Sequence, residues 1–157
     1  MEIERKYLIP ELPDNLDTYP FAEIEQAYIC TDPVVRIRRQ DSQYILTCKG
    51  SGMLAREECN LPMTEEAYHS LLRKAEGTII KKRRYRIPAE NGLLIELDLF
   101  DGVWKGVIMA EVEFPDTETA GKFTPPAWFG EEVTFDPHYH NSWLSSHTRR
   151  DLLGDQA

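Results

Sequence analysis

Charged residues alternate with apolar ones in several segments of this chain, and this alternation constrains the fold more than any other feature. In the first nine residues, Glu2, Glu4 and Lys6 stand at every second position. Successive side chains of a β-strand point to opposite faces, so these charges would share one face while Ile3 and Tyr7 occupy the other. Because later segments repeat the arrangement, the sequence predicts a fold built mainly from strands with one charged face.

Eight segments have the character of strands, and turn signals separate them. They cover residues 1–9, 23–30, 34–39, 43–49, 55–61, 78–88, 93–100 and 105–114. Most follow one another in hairpin order, and Asn91-Gly92 is a typical hairpin turn between two of them. Eight strands with two or three helices predict an α+β domain in which an antiparallel barrel, or a strongly curved sheet, carries helices on part of its outside.

The clearest helix signal covers residues 65–76. Thr64 is a good N-cap, and Gly77 is typical of the position just after a helix end. A short helix is expected over 116–123, an irregular crossing over 125–130 and a final helix over 136–144. From Ser145 onward the tail is polar and is expected to be frayed.

Length and composition limit the class of protein. The 157 residues fit one domain, 1–157, with 41% hydrophobic and 29% charged residues. No apolar run approaches the roughly 20 residues of a membrane helix, and the start of the chain is unlike a signal peptide, so a cytoplasmic location is expected. A net charge of −9 argues against binding to nucleic acid or to anionic membranes.

The three cysteines, Cys30, Cys48 and Cys59, indicate no special chemistry. Their number is odd, and their spacing fits neither a zinc site nor a disulfide framework. We therefore expect them to be small buried hydrophobic residues.

The charged faces of the strands are unusual when they are considered together. In a single strand, such alternation normally means that the charges lie in water. Here the charges within one strand mostly have the same sign, whereas a solvated surface favours interspersed signs. The residues concerned are Glu2, Glu4, Lys6, Arg36, Arg38, Lys49, Arg56, Glu58, Lys82, Arg84, Glu96, Asp98, Glu111 and Glu113. This pattern predicts that the charged face points into the barrel.

A charged interior needs compensation, because desolvated ions are costly unless partners or ligands neutralise them. An eight-stranded barrel can enclose one small ligand. A polyanion would satisfy the Lys and Arg residues, which bind phosphate oxygens well. Carboxylates without His or thiolate favour Mg²⁺ or Mn²⁺, and Mg²⁺ is commonly held by one or two carboxylates together with substrate phosphates.

The ordered set of charged motifs resembles the CYTH domain, the family of triphosphate tunnel metalloenzymes. The resemblance begins at Glu2-Ile3-Glu4-Arg5-Lys6, which matches the signature Glu-x-Glu-x-Lys. It continues through Arg36-x-Arg38, Thr47-x-Lys49, Arg56-x-Glu58, Lys82-x-Arg84-Tyr85, Glu96-Leu97-Asp98-x-Phe100, Glu111-Val112-Glu113-Phe114 and Trp128-Phe129-Gly130-x-Glu132-Val133-Thr134. The family includes class IV adenylate cyclases, thiamine triphosphatases and bacterial inorganic tripolyphosphatases, and this compact chain resembles the last branch.

The resemblance implies an eight-stranded antiparallel tunnel and a role for each matching residue. The residues that would bind the phosphates are Lys6, Arg36, Arg38, Lys49, Arg56, Lys82 and Arg84. The metal ligands would be Glu2, Glu4, Asp98, Glu111 and Glu113, holding two ions of Mg²⁺ or Mn²⁺. Glu58 and Glu96 would orient basic residues or a water, so that Glu2, Glu4, Lys6, Glu58 and Glu96 form the expected catalytic set.

One position departs from the family pattern. The family usually places a lysine in a Tyr-x-Asn-Lys context on a C-terminal helix near the tunnel, but here Ser142 follows Tyr139-His140-Asn141. That contact is expected to be lost unless His140 or a neighbouring Arg replaces it. His140 itself is expected to be a solvated helix residue.

The predicted reaction is metal-dependent hydrolysis of the terminal phosphoanhydride of inorganic tripolyphosphate, by a monomer or a homodimer. The alternatives are ATP cyclisation or thiamine triphosphate hydrolysis in the same tunnel, a non-catalytic polyphosphate sensor, and a surface-charged barrel that binds proteins. For the first two, Trp104, Trp128 or Trp143 could stack on a base, although packing is the commoner role.

Overall fold

The computed structural model describes residues 1–154, and within them nine strands and four α-helices follow one another. The strands are β1 (Glu2–Leu8), β2 (Phe21–Thr31), β3 (Val34–Gln40), β4 (Gln43–Lys49), β5 (Ala55–Arg56), β6 (Glu58–Pro62), β7 (Glu76–Pro88), β8 (Leu94–Phe100) and β9 (Ile108–Glu113). The helices are α1 (Glu65–Leu72), α2 (Thr117–Lys122), α3 (Asn141–Leu144) and α4 (Arg149–Leu153). In this part of the chain no helix has the length and apolar character needed to span a membrane.

The strands form an antiparallel sheet that closes on itself through one short segment. Their order is β5-β1-β9-β8-β7-β2-β3-β4-β6, so the two edge strands are consecutive in the chain. Arg56 of β5 lies opposite Glu2 of β1, and Glu58 of β6 lies opposite Lys49 of β4. The predicted α+β antiparallel barrel is confirmed. The predicted strand 55–61 changes partner at Glu57 and is thereby divided, which gives nine strands instead of eight.

The faces of this barrel are inverted relative to an ordinary sheet. Tyr7 and Val112 point outward into an apolar core that also contains Ala120 of α2. The inner face holds charged groups removed from water, since Lys82 and Asp98 are only 2% and 1% exposed. The apolar face is covered by helices and loops, and the charged face is therefore left to line the interior, as the strand pattern predicts.

Helix α1 begins where the sequence predicts and ends one turn early. The Thr64 hydroxyl accepts a hydrogen bond from the Ala67 amide at 3.1 Å, which is the expected N-cap contact. The helix ends at Leu72, where the next amides bond carbonyls three residues back in a tight turn. The predicted extension to residue 76 is wrong, and Gly77 belongs to β7 instead of capping the helix.

Two connections also differ from the prediction. β9 begins at Ile108 and not at residue 105, because a 3₁₀ turn at Gly102–Trp104 takes up the preceding residues. Asn91-Gly92 does join two antiparallel strands, β7 and β8, but it lies within a 3₁₀ turn over Glu90–Gly92. The connection is therefore longer than a two-residue hairpin.

The C-terminal segment consists of short pieces. A 3₁₀ turn at Pro137–Tyr139 precedes α3, and His140 between them is extended, with φ −75° and ψ 138°. The predicted continuous helix over 136–144 is therefore wrong. A capping box between Thr148 and Asp151 starts α4, so the predicted fraying is wrong for residues 149–153. Residues 155–157, the end of the predicted tail and of the predicted domain, lie outside the described residues.

Gly77 is where the barrel meets the C-terminal segment, and its substitution should be costly. Its φ is +72°, and a Cβ there would lie 2.2 Å from the Ser145 carbonyl oxygen, whereas Gly92 has φ +74° and nothing within 4 Å. We expect Gly77→Ala to lower the free energy of unfolding by at least about 3 kcal/mol and Gly92→Ala by about 1 kcal/mol, because only the first adds a steric overlap to the backbone strain. Urea titration of both variants measures the difference, and equal losses would contradict this account.

Candidate active site

The barrel encloses a polar cavity with an empty volume of about 370 Å³. All seven basic residues that the sequence predicts to bind phosphate lie in its wall, together with two of the predicted metal ligands, Glu4 and Glu111. The lining residues are Glu4, Lys6, Tyr28, Val34, Arg36, Arg38, Lys49, Arg56, Lys82, Arg84, Glu111, His140, Asn141 and Ser142. The strand topology therefore brings together basic residues that are as far apart in the sequence as Lys6 and Arg84.

Strand alternation and strand order divide the interior into two sides. Arg36 and Arg38 alternate on β3, and Lys82 and Arg84 alternate on β7. Most of the predicted carboxylates come from β1, β9 and β8, which are neighbours in the sheet. In the closed order of strands, β9 and β3 are on opposite sides of the barrel. The basic wall formed by β3 and β7 thus faces the acidic wall across the lumen at β3 and adjoins it where β7 pairs with β8.

A buried network of ion pairs connects the two sides. Both carboxylate oxygens of Asp98 accept hydrogen bonds from Arg84, at 2.7 and 2.8 Å, and Lys82 Nζ lies 2.8 Å from the same carboxylate. Arg84 also reaches Glu96 at 3.0 Å and Glu111 at 3.5 Å. Burial alone would raise the pKa of Asp98, but Arg84 and Lys82 lower it below its ordinary value. These contacts fix the guanidinium group in one orientation.

The contacts of Asp98 bear on its predicted role. Because both of its oxygens already bind cations, Asp98 is placed to orient Lys82 and Arg84, which is the kind of role that the sequence assigns to Glu96. Glu96 has such a contact with Arg84 as well. The assignment of Asp98 as a metal ligand stays a prediction.

Arg36 and Arg38, the two arginines of β3 that line the cavity, have no carboxylate within salt-bridge distance in the described part of the chain. Arg38 is 8% exposed and donates through Nε to Gln26 Oε1 at 2.9 Å. Burial, followed by repulsion from Arg36 and Arg84, lowers the pKa of Arg38 to about 9. Arg36 donates to Thr47 Oγ1 at 3.1 Å, yet among residues 1–154 its buried Nε has no hydrogen-bond partner. Buried cations of this kind would be stabilised by an anion.

The charge of the lining as a whole favours an anion. Seven Lys and Arg side chains stand against Glu4 and Glu111, which gives the wall a formal charge of +5 when all seven are protonated and His140 is neutral. Burial lowers the pKa of Lys82, one of the seven, to about 7. Burial, followed by Lys6 and Arg56, lowers the pKa of His140 to about 4, so it is neutral at pH 7. The expectation that His140 is a solvated helix residue is wrong. A cavity wall of this charge concentrates polyanions.

The carboxylates near β1 are only partly neutralised. Glu2 accepts hydrogen bonds from Lys49 Nζ at 2.8 and 3.1 Å, and Lys49 also lies 3.4 Å from Glu58. Burial, a hydrogen bond with Glu58 and repulsion from Glu4 nevertheless raise the pKa of Glu2 to about 8. Glu58 contacts Lys49 and, at 2.7 Å, Asn60, and its orienting role stays a prediction.

Two further predicted metal ligands, Glu111 and Glu113 of β9, lie near Glu4. Burial and then repulsion from Glu111 raise the pKa of Glu4, and burial followed by Glu58 and Glu96 raises the pKa of Glu113. Glu4 lies directly opposite Glu113 in the pairing of β1 with β9. Like charges in directly opposed positions destabilise a sheet, and a cation between them would relieve the repulsion.

This donor set fits a divalent cation that is held by one or two carboxylates together with a phosphate chain. Among residues 1–154, no three His, Cys, Asp or Glu side chains form a ligand set for an ion by themselves. Mg²⁺ does not require such a set, because it usually keeps water ligands and is held by one or two carboxylates and substrate phosphates. Glu4 with Glu113 or Glu111 supplies those carboxylates beside the basic wall.

The C-terminal segment contributes polar groups that the sequence pattern of the strands does not predict. Asn141 Oδ1 accepts hydrogen bonds from Lys82 Nζ at 3.0 Å and from Gln26 Nε2 at 3.1 Å. Lys6 Nζ donates to the Tyr139 carbonyl oxygen at 3.0 Å. The segment therefore borders the cavity and holds two of its lysines, which agrees with the predicted C-terminal helix near the tunnel.

Gln26, Tyr28 and Asn141 are functional candidates that escaped the sequence reasoning, which assigned site roles to charged residues. Gln26 is fully buried and connects Arg38 to Asn141, and Tyr28 lines the cavity and accepts a hydrogen bond from Gln26 Nε2 at 3.2 Å. The alternation of Gln26 and Tyr28 on β2 continues the polar inner face without charge. That alternation is the sequence feature from which the inward position of Gln26 and Tyr28 could have been predicted.

The three tryptophans do not face the cavity. Trp104 is 1% exposed in an apolar core and donates through Nε1 to the Leu144 carbonyl oxygen at 3.2 Å. Trp128 packs against the outer core, and Trp143 stacks on His147 with ring centroids 3.7 Å apart. Packing is thus the observed role of each.

A closed antiparallel barrel with seven inward cations beside a group of carboxylates defines an anion-binding tunnel. The chain matches the CYTH domain over residues 1–140. It is 38% identical over 148 residues to an inorganic triphosphatase of Nitrosomonas europaea, covering 92% of this chain and 96% of that protein. The protein belongs to the CYTH domain family.

Two further relatives agree with this assignment. An inorganic triphosphatase of Acetivibrio thermocellus is 36% identical over 152 residues, which cover 91% of this chain and 92% of that protein. A crystal structure of an inorganic triphosphatase superposes with a TM-score of 0.70 at 34% identity, covering 94% of this chain and 95% of that one. The barrel is thus shared with solved members of the family.

Proposed function

We propose that this protein hydrolyses the terminal phosphoanhydride of inorganic tripolyphosphate inside the barrel, with the help of Mg²⁺ or Mn²⁺. The observation that carries the proposal is the wall of seven cations, two of them without carboxylate partners, beside the carboxylates of β1 and β9. The names of the relatives, which are inorganic triphosphatases, support it. The proposed location is the cytoplasm, and the proposed state is a monomer or a homodimer.

The basic wall would bind and orient the phosphate chain. Arg36 and Arg38 offer guanidinium groups that are not engaged with carboxylates, and such groups make paired contacts with phosphate oxygens. Lys6, Lys49, Arg56, Lys82 and Arg84 would add charge around the same chain. Positioning and charge stabilisation of this kind account for most of the catalysis in phosphoryl transfer.

The acidic wall would hold the metal and the attacking water. Glu2, Glu4, Glu111 and Glu113 would hold two divalent ions, which neutralise phosphate oxygens and lower the pKa of a bound water. Glu58 and Glu96 would keep Lys49 and Arg84 aligned and could accept a proton from the nucleophile. No covalent intermediate is needed in this scheme.

The cavity favours a substrate without an organic group. Its lining is charged or polar except for Val34 and Tyr28, so it offers little apolar surface to a nucleoside or to thiamine. No tryptophan lies in the lining to stack on a base. Tripolyphosphate therefore fits the site better than ATP or thiamine triphosphate does.

The proposal is tested by incubating the protein with tripolyphosphate, ATP and thiamine triphosphate, each with Mg²⁺, with Mn²⁺ and with chelator. Phosphate release and cyclic AMP are measured together. We expect metal-dependent phosphate release that is fastest from tripolyphosphate. Cyclic AMP from ATP would make the protein a cyclase, and tripolyphosphate binding without turnover of any substrate would make it a polyphosphate sensor.

Ser142 offers a gain-of-function test. It lines the cavity at the position where the family resemblance implies a lysine. We expect Ser142→Lys to lower the KM for tripolyphosphate roughly 3- to 10-fold with little change in kcat, because a further cation in the lining stabilises bound substrate and transition state alike. Steady-state kinetics measures both constants, and Ser142→Met controls for side-chain size. A KM that rises in Ser142→Lys as in Ser142→Met would contradict the placement of this residue.

A further inference from the structure

Two of the three cysteines form an exposed pair. Cys48 of β4 lies directly opposite Cys59 of β6 in the sheet register, and both residues are exposed. The expectation that all cysteines are small buried hydrophobic residues is therefore wrong for this pair. Exposed free cysteines are uncommon, and two of them in directly opposed positions are a feature that packing does not explain.

The register sets the distance between the two residues. The Gly50 amide donates to the Glu57 carbonyl oxygen at 3.0 Å, and this hydrogen-bonded pair lies two positions along from Cys48 and Cys59. Hydrogen-bonded and non-hydrogen-bonded pairs alternate in an antiparallel ladder, so the cysteines also occupy a hydrogen-bonded pair, with Cα atoms roughly 5.5 Å apart. That separation is within the range of about 4.4–6.8 Å between the Cα atoms of a disulfide. The Cβ atoms of a hydrogen-bonded pair lie up to roughly 5.5 Å apart, so formation of the bond would bring them closer by about 1 Å.

Both thiols are on the outside of the barrel. Thr47 and Lys49, the strand neighbours of Cys48, are buried and point inward, so Cys48 points outward. Cys30 is part of the same row of paired residues, because Cys30 pairs with Val35 and Val35 pairs with Cys48. Two strand spacings, roughly 9.5 Å, separate Cys30 from Cys48, and no disulfide can span them.

We propose that Cys48 and Cys59 form a reversible dithiol–disulfide site that reacts with low-molecular-weight disulfides such as oxidised glutathione. One cysteine thiolate attacks the small disulfide, forms a mixed disulfide and releases one small thiol. The second cysteine thiolate then attacks the protein sulfur of the mixed disulfide and releases the second small thiol. The protein loses two electrons and two protons, which reduce the small disulfide to two thiols.

The position of the site suits a reversible reaction. An exposed disulfide is open to attack by small thiols and is readily reduced again. The bond would lie at the seam of the barrel, where the chain passes from β5 to β6 and changes its pairing partner from β1 to β4. It would link β4 to β6 beside the inward pair of Lys49 and Glu58, which are 3.4 Å apart.

The site is tested by equilibrating the full-length protein in glutathione buffers from fully reduced to fully oxidised. Free thiols are counted, intact mass is measured, and tryptic peptides are mapped. We expect the wild type to lose two of its three thiols with a mass decrease of two hydrogen atoms, to link the peptides 40–49 and 57–73, and to regain both thiols with dithiothreitol.

Variants separate this result from other reactions of cysteine. Cys30→Ser should keep the mass decrease, while Cys48→Ser and Cys59→Ser should each lose it and carry a glutathione adduct instead. Circular dichroism checks that each variant is folded. If a variant is not folded, the peptide map of the wild type alone identifies the cysteines that form the disulfide. The proposal is overturned if the wild type keeps three free thiols, carries only glutathione adducts, or forms only disulfide-linked dimers.

Discussion

Arg36→Met is expected to raise the KM for tripolyphosphate roughly 10- to 150-fold while leaving the folded state as stable as before. The guanidinium group donates one hydrogen bond, to Thr47, and its buried Nε has no partner. A hydrogen bond between charged groups contributes about 1.5–3 kcal/mol, and each 1.4 kcal/mol is about tenfold in affinity. The stability should change by less than about 1 kcal/mol, because removal of the unpaired donor offsets the lost hydrogen bond. This result would make Arg36 a residue that substrate binding requires and the fold does not.

A matched control lies on the same strand. Arg39 points to the outside of the barrel, where its side chain is 46% exposed and 3.9 Å from Glu25. Arg39→Met removes the same charge from β3 as Arg36→Met does, but from the outer face. Because exposed ion pairs contribute little to stability, this variant should leave both the KM and the melting temperature nearly unchanged. Steady-state kinetics and thermal denaturation of the two variants decide the question. If Arg39→Met raised the KM as much as Arg36→Met, the effect would come from the net charge of the protein and not from the lumen.

Asp98→Ala is expected to destabilise the protein by about 3–5 kcal/mol, and so to lower its melting temperature by roughly 6–20 °C. Asp98 pairs with both Lys82 and Arg84, and its side chain is 1% exposed. Its removal leaves two buried cations with one neutralising charge fewer. Breaking a buried ion pair costs this much because the remaining charge stays desolvated.

An exposed pair provides the comparison. Glu118 and Lys122 of α2 are 2.6 Å apart, closer than Asp98 and Lys82, but their side chains are 76% and 74% exposed. Glu118→Ala should therefore cost no more than about 0.5 kcal/mol. Thermal denaturation of both variants measures the contrast. Similar small losses in the two would mean that the interior of the barrel is well hydrated and that the ion network contributes little to stability.

The alternation within strands carries most of the information on this fold and site. It assigned the charged residues to one face, and the same-sign rows of β3 and β9 indicated that this face is enclosed. All seven predicted basic residues line the cavity. These predictions were correct because each depended only on the position of the residue within its strand. The roles assigned to the individual carboxylates remain predictions.

The features that the sequence did not reveal depend on contacts between distant segments. The division of the predicted strand 55–61 at Glu57 follows from barrel closure, which no local pattern encodes. His140 reaches the cavity only because the predicted helix is interrupted there. Gln26 and Asn141 lack charge, so their bridge to Arg38 and Lys82 appears only when β2 and α3 are brought together.

The most direct test of the account compares tripolyphosphate binding with tripolyphosphate turnover in Glu4→Gln. Glu4 lines the cavity and is paired with Glu113 in the sheet. In the described part of the chain it has no cation within salt-bridge distance, so its replacement by glutamine should leave the basic wall unchanged. We expect calorimetry to give a Kd within about fivefold of the wild type, and Mg²⁺-dependent phosphate release to fall by at least about 100-fold. Phosphate release at the wild-type rate would show that Glu4 of β1 is not needed for hydrolysis. The assignment of substrate binding to the basic wall and of catalysis to the acidic wall would then be wrong.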